Sequence, residues 1–318
     1  MLVLTRAEAE ELLDLDDLVE ALARAHAELS RGSVSMPSRI AALVPEREAL
    51  LGVMPAHVPA TGLGCKLVSL FPQNVDRHTH QAVILLFDPE NGTPVALVDG
   101  TYITAARTAA ASALATRLLA REDAATLAVV GTGVQARSHA RALTRVRRFD
   151  EVRVAGRDPE KAERLAGELG ATPCETVEAA VRGADVVAAT THSTEPVVRR
   201  EWLAPGTHVN SVGLNPAGRE LDEETIRDAV LVVESRASAL APPPAGAPEL
   251  VGIDPSHVHA ELGELVTGER PGRTSPEELT VYKSVGVAVQ DVAAAALVLA
   301  AARERGAGRE IELEEIRA

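Results

Sequence analysis

Apolar and polar positions along the chain follow two rhythms, one before about residue 120 and another after it. Thr5 can cap a first helix, and Glu8 three residues on completes a capping box. Leu18, Val19, Leu22 and Ala25 recur at helical spacing and predict a second helix from Asp16 to Leu29. From Ser35 to about Val98 the pattern shortens to strands: Arg39–Val44, Ala49–Pro55, Gly64–Phe71, Ala82–Asp88 and Pro94–Asp99. Glu90-Asn91-Gly92 is a hairpin signal between the last two. A long alanine-rich helix, Tyr102 to Ala120, ends this section of helices and mostly antiparallel sheet.

The second rhythm begins with the apolar run Leu127–Val130, which ends in Gly131-Thr132-Gly133-Val134-Gln135-Ala136 and leads into a helix from Gln135 to Leu143. Strand, glycine turn and helix start form the phosphate-binding end of a dinucleotide unit. Gly131 suits the tight turn, Gly133 lets backbone approach a pyrophosphate, and Ala136 lets the helix pack on the strand. The helix start offers free N–H groups and a positive dipole end. Strands Glu151–Ala155, Ala184–Thr190, Thr207–Val212 and Val230–Glu234 then alternate with helices Pro159–Leu169, Thr176–Arg182 and Asp222–Arg227. This is the rhythm of a parallel sheet covered by helices. Ala241 to Pro248 is a loop, His257 to Thr267 reads as helix, and Leu279–Lys283 as a last strand. An apolar helix from Gly286 to Arg305 is expected to return to the first domain. The expected fold class is α/β, a Rossmann-type dinucleotide-binding domain over residues 119–287 plus an α+β domain from residues 1–118 and 288–318.

Composition narrows the partners. A formal charge of -14, from 32 basic and 46 acidic residues, argues against nucleic acid. The apolar stretch Val285 to Ala302 contains Gln290 and Asp291 and reads as a buried helix rather than a membrane span. No signal peptide is evident, so cytoplasm is the expected location. Cys65 and Cys174 sit in apolar contexts and are expected to be reduced core residues. His78 and His80, and His257 and His259, are spaced two apart, but no supporting ligands accompany them and no metal is expected. Glu312, Glu314 and Glu315 read as a solvated face.

The end of the second strand distinguishes the two nicotinamide dinucleotides. An NAD site places an acid there for the ribose 2′-hydroxyl, and an NADP site an Arg for the 2′-phosphate. Here Gly156 holds the acid position and Arg157 follows it, with Asp158 expected to cap the helix that Pro159 opens. NADPH is therefore the expected cofactor, with NADH the alternative, and Arg157 could instead be a solvated turn residue.

The chain resembles the ornithine cyclodeaminase/mu-crystallin family. The likeness rests on Met36-Pro-Ser-Arg39, Gly64-Cys-Lys66, Phe71-Pro-Gln-Asn74, His80-Gln81-Ala82, Asp99-Gly100 and Thr104-Ala-Ala-Arg107-Thr-Ala-Ala110. It continues through the glycine motif, Gly156-Arg157, Asn210-Ser-Val-Gly213, Ala260-Glu-Leu-Gly-Glu264 and Tyr282-Lys-Ser-Val-Gly286. The resemblance implies a homodimer whose interface the first domain carries with the C-terminal helix, and a substrate between the domains. It implies substrate-binding roles for Arg39, Lys66, Arg107, Gln81 and Val285. It also implies cofactor contacts from Arg107, Gly131, Thr132, Gly133, Val134, Gln135, Gly156, Arg157, Thr190, Thr191, Val212, Gly213 and Leu214.

The chemistry is consistent with that set. Arg grips a carboxylate through paired charged hydrogen bonds. Three converging cations would lower the pKa of Lys66 and let it donate a proton. The family's cyclodeaminases carry an acidic base after the Asn210–Gly213 strand, where this chain has Asn215, and an amide takes no proton at neutral pH. The catalytic candidates are thus Lys66 and Asn215, the latter as a hydrogen-bonding group. The expected activity is NADPH-dependent reduction of a small α-imino acid, cyclic or N-substituted, by hydride transfer to C2. An ornithine or lysine cyclodeaminase, an alanine-dehydrogenase-like enzyme and a non-catalytic NADPH-binding protein are the alternatives.

Overall fold

The structure is a computed structural model, and it describes residues 1–313; Glu314 and Glu315, read above as solvated, lie outside the described residues. The chain opens with β1 (Leu2–Leu4), α1 (Arg6–Leu12) and α2 (Leu15–Ser30), then β2 (Ile40–Val44), β3 (Ala49–Val58), β4 (Gly62–Leu70), β5 (His80–Phe87) and β6 (Pro94–Asp99). The long helix α3 (Gly100–Leu119) follows. Next come β7 (Thr126–Val130), α4 (Val134–Val146), β8 (Glu151–Ala155), α5 (Pro159–Leu169), β9 (Thr172–Pro173), α6 (Val177–Val181), β10 (Val186–Ala189) and β11 (His208–Ser211). The remainder is α7 (Glu223–Asp228), β12 (Val230–Val233), α8 (Arg236–Ala239), β13 (Val258–Glu261), α9 (Leu262–Thr267), β14 (Thr280–Lys283), α10 (Ala288–Arg305) and β15 (Arg309–Glu310). Two compact units result: Met1–Arg107 with the chain from Val287 onward, and Thr108–Gly286. The division falls inside α3.

The first unit is built on a sheet ordered β15-β1-β6-β5-β4-β3-β2. It is antiparallel except where β1 runs parallel to β6. Thr5 caps α1 in the expected box with Glu8. One sheet face is covered by α10, whose residues Ala288 to Ala295 are all buried. A helix apolar on every side has to be buried on every side. Gly64 on β4 leaves room for α10, since a Cβ there would lie 3.1 Å from Val292 Cγ2, and also 2.8 Å from Leu86 Cδ2 of β5. The other face is open and apolar. Ile40, Val53, Leu67 and Val83 lie opposite one another across four strands, and Ile40 and Val83 are 68% and 39% exposed.

The second unit is an entirely parallel sheet, β13-β12-β14-β11-β10-β7-β8-β9. From its β9 edge it runs third, second, first, fourth, fifth strand of this unit, so the order reverses beside β7. That is a Rossmann-type sheet, in which ligands bind past the strand ends where the order reverses. Asp158 caps α5 through the Lys161 amide, with Pro159 in the first turn.

Two expectations are corrected. His257–Thr267 is not one helix: Val258–Glu261 is a strand with alternating burial, paired to β12, and only Leu262–Thr267 is helical. The sheet edge takes Val258 and Ala260 inward and overrides the helical reading. The cysteines are free and half-buried: Cys174 packs against the core of the second unit, whereas Cys65 lies on the open face of the first sheet, outside the core.

Candidate functional site

In the second unit, β7 leads into Gly131, whose φ of 121° disfavours any other residue and where a Cβ would lie 2.7 Å from Thr190 Oγ1. The Thr190 hydroxyl braces this turn by donating to the Val130 carbonyl at 2.8 Å. Thr132 is half-buried beside it. Gly133 is the N-cap of α4 and brings no side chain to the helix start, and a Cβ added there would meet open space. The first N–H groups of α4, from Val134, Gln135 and Ala136, thus keep an open approach. Gln135 Oε1 is buried at the same place without a hydrogen-bond partner among the described residues. These features fit a pyrophosphate. Gly156, after β8, is held to glycine by Thr132, whose Cγ2 would lie 2.7 Å from a Cβ. Arg157 is exposed, and among the described residues its guanidinium has no hydrogen-bond or ion-pair partner. The chain therefore fits a 2′-phosphate better than a ribose hydroxyl.

Past the ends of β10, β11 and β14 a buried carboxylate organises the loops. Glu220 accepts from the Thr191 hydroxyl at 2.8 Å, the Ser211 hydroxyl at 2.9 Å and the Gly213 amide at 2.7 Å. Gly213 must be glycine, since a Cβ would lie 2.3 Å from the Thr191 carbonyl oxygen. Lys283 Nζ donates to Ser211 Oγ, to the Gly213 carbonyl at 2.8 Å and to Glu249 at 3.0 Å. Glu234 takes the Val285 and Gly286 amides at 3.0 and 2.8 Å. Thr191, Val212, Gly213, Leu214 and Val285 are thereby set by groups that sequence reasoning missed. The amide of Val212 is held by the Ala189 carbonyl, and Leu214 packs on the apolar core of this unit. Asn215 has a local job. Its Oδ1 accepts from the Ala217 amide, and its Nδ2 donates to the His192 and Ser193 carbonyls. The amide expected to meet substrate is engaged in bracing its own loop.

In the first unit, Lys66 is 2% exposed and points from β4 toward α10. Its Nζ lies 2.8 Å from Asp291 Oδ2, a charge contact in which that oxygen receives no well-angled hydrogen bond. Asp291 Oδ1 accepts from Arg107 Nε at 3.0 Å. Arg107 Nη1 donates to Gln290 Oε1 at 2.8 Å, and Nη2 has no hydrogen-bond partner among the described residues. Burial pushes the Lys66 pKa down to about 8; Asp291 raises it, while Arg107 and Arg39 lower it. The expected depression is present, but burial causes it first and the neighbouring cations second. Asp291 is held below the ordinary carboxylate range by Arg107 and Lys66, against the opposing effect of burial.

Gln81 is placed differently from the expectation. Lys66 lies opposite Ile84, and Ser69 opposite Gln81. Strand alternation therefore puts Gln81 on the open face, away from Lys66. His80 shares the face of Lys66, and burial together with Lys66 and Arg107 lowers its pKa to about 4. Asp291 and Gln290 escaped sequence reasoning because they read only as polar breaks in an apolar helix. One available signal was composition: the chain has three lysines, Lys66, Lys161 and Lys283, and two of them are buried.

Among the paired histidines, His80 lies on the Lys66 face of the sheet, and the other three contact groups elsewhere. His78 contacts Arg6, while His257 and His259 reach the Ile226 and Pro271 carbonyls.

The chain is similar over most of its length to known proteins. The chain is 43% identical to mouse (Mus musculus) ketimine reductase mu-crystallin over 290 residues, covering 88% of this chain and 90% of that one. The structure matches that of Thermococcus litoralis Δ1-pyrroline-2-carboxylate reductase in complex with NADH and L-proline, with TM-score 0.91 and 36% identity over 98% of this chain and 100% of that one. An archaeal alanine dehydrogenase dimer with bound NAD also matches, with TM-score 0.91 and 33% identity over 99% of each chain. A model of the ornithine cyclodeaminase/mu-crystallin family matches residues 1–306. With its glycine turn, its Lys66–Arg107 pair and a family match over nearly its whole length, the chain belongs to the ornithine cyclodeaminase/mu-crystallin family.

Proposed function

We propose that this protein is an NADPH-dependent oxidoreductase that reduces a small α-imino acid, such as a cyclic imino carboxylate, to the amino acid. The observation that carries this reading is the buried Lys66, held with Arg107 on one carboxylate and facing the field of Arg39. Such a set suits a substrate with a carboxylate beside a basic nitrogen. The relatives named for ketimine and pyrroline-carboxylate reduction support the same class.

The bound dinucleotide supplies a hydride to C2 of the C=N group. Arg107, through Nη2, and Arg39 hold the substrate carboxylate. Lys66 gives its proton to the imine nitrogen as the C2–H bond forms, leaving a neutral amine on each. Lys66 then regains a proton from solvent. One imine, one proton and one reduced cofactor thus yield one amine and one oxidised cofactor. Gly131 to Gln135 hold the pyrophosphate, Gly156 and Arg157 the adenosine ribose end, and Thr190, Thr191 and Val212 to Leu214 the nicotinamide end. Arg157 favours NADPH, although the two matched structures named above hold NADH and NAD.

The unit of Met1–Arg107 with the chain from Val287 onward carries substrate binding and pairing. Two copies join through the open apolar sheet face to form a homodimer; the dimeric alanine dehydrogenase supports this. No helix among the described residues is long and apolar enough to cross a membrane, and we assign the protein to the cytoplasm.

The test is oxidation of NADPH and NADH with Δ1-pyrroline-2-carboxylate and Δ1-piperideine-2-carboxylate, with ornithine assayed for ammonia release. NADPH-dependent turnover that Lys66→Ala abolishes is expected. Ammonia release from ornithine without imine reduction would overturn the reading.

A further inference from the structure

Four elements of the first unit bring polar side chains to one buried line. Lys66 comes from β4, Arg107 from α3, Gln290 and Asp291 from α10 and His26 from α2. All five are nearly or wholly buried. Asp291 uses one carboxylate oxygen for each cation, Lys66 at 2.8 Å and Arg107 at 3.0 Å. Gln290, its neighbour in sequence, takes a second edge of the Arg107 guanidinium at 2.8 Å. That fixes the orientation of the amide, because its oxygen is occupied by Arg107. Its nitrogen then donates to His26 Nε2 at 3.0 Å, so His26 carries its proton on Nδ1. A second proton on His26 would place two donors face to face.

We propose that Asp291 is the positioning residue of the imino-acid site, holding the proton donor Lys66 and the carboxylate clamp Arg107 in fixed relation through its two oxygens, with Gln290 locking the clamp. The proposal rests on the imino-acid reading of this site. Removing either cation from water is costly, and a buried charge needs a partner in good geometry. A single carboxylate between two cations leaves net positive charge for an anionic substrate. It also stops Lys66 from shedding its proton too easily: burial, Arg107 and Arg39 all favour the neutral amine, and Asp291 alone opposes them. The groups facing Lys66 are Asp291, Arg107, Arg39 and His80, with His26 behind Arg107. His80 and His26 are held neutral near neutral pH, so Lys66 is the titrating group there.

Two substitutions separate the two jobs. Asp291→Asn keeps the shape and removes the charge. It should move the alkaline limb of kcat for imine reduction down by a pH unit or more and lower kcat at least tenfold. Gln290→Met leaves Asp291 in place and frees Arg107. It should raise KM for the imino acid at least fivefold with the alkaline limb unmoved. The side-chain nitrogen of Lys66 is titrated in parallel by NMR in 15N-lysine protein, where three lysines give a readily assigned spectrum. Its pKa should fall by at least one unit in Asp291→Asn. An unmoved lysine titration in a folded variant would overturn the role of Asp291, whatever the substrate is. An unchanged KM in Gln290→Met would overturn the lock. Should the wild-type protein reduce no imino acid while the lysine titration shifts as stated, the substrate reading fails and the hold of Asp291 on Lys66 stands.

Discussion

Lys66 on β4 and Asp291 on α10 meet at 2.8 Å in the interior of the first unit, one contributed by the opening third of the chain and the other by its last long helix. The two side chains are 2% and 1% exposed. Asp291 is therefore the main reason Lys66 can remain charged, while Arg107 and Lys66 together keep Asp291 charged.

A buried pair of this kind is costly to break and cheaper to replace. Asp291→Leu alone should destabilise the fold by about 3–5 kcal/mol, because Lys66 and Arg107 lose their shared counter-charge. Adding Lys66→Met should recover part of that loss. Denaturant unfolding of the two single variants and the double variant measures the coupling, and strict additivity would contradict it.

The family resemblance implies that Asn215 replaces the acid of the cyclodeaminases, and introducing an acid here should not give that activity. Both Nδ2 contacts of Asn215 go to carbonyl oxygens, of His192 and Ser193. A carboxylate there would face two acceptors and open the loop. Asn215→Asp is expected to release no ammonia from ornithine and to lose imine reduction. Ammonia release above the wild-type level would show that the loop tolerates the acid.

Arg157 is the exposed cation at the end of β8, with no carboxylate at Gly156 to oppose a phosphate. Charge-assisted hydrogen bonds contribute about 1.5–3 kcal/mol each. Arg157→Ala should therefore raise KM for NADPH about tenfold or more and leave that for NADH nearly unchanged. Equal changes for both cofactors would remove the 2′-phosphate role.

Acid should unfold this protein through its buried histidines. His26, His139 and His208 have pKa values pushed down, chiefly by burial, to about 3, 4 and 3. In the unfolded chain they take protons near pH 6.5. Between those values the unfolded state binds more protons, so stability falls as pH drops from about 6.5 toward 4. Denaturant midpoints followed across that range should decline steadily, and His139→Gln should flatten the slope. A midpoint constant down to pH 4 would contradict the neutral, buried state.

The row Ile40, Val53, Leu67 and Val83 is an exposed apolar patch of the kind that marks a protein contact. Val83→Asp is expected to convert a sedimenting dimer into a monomer with intact secondary structure. A wild-type monomer would overturn the dimer, and a Val83→Asp dimer would move the pairing surface elsewhere.

Local chemistry made much of this protein legible. The glycine turn, the Thr5–Glu8 box, the Asp158–Pro159 helix start and the alternating strands each depend on a few adjacent residues, so the Rossmann-type unit and its cofactor end could be read directly. Tertiary structure decided the rest, because it depends on which strands and helices meet. Register alone sets Gln81 on the face away from Lys66 and His80 on the near one. A sheet edge turns Val258–Glu261 into a strand. Asp291 becomes the counter-charge of Lys66 and Arg107 only when α10 settles against Gly64. Hydrophobic periodicity determines that α10 is buried; only packing determines which charges its buried carboxylate, Asp291, will meet.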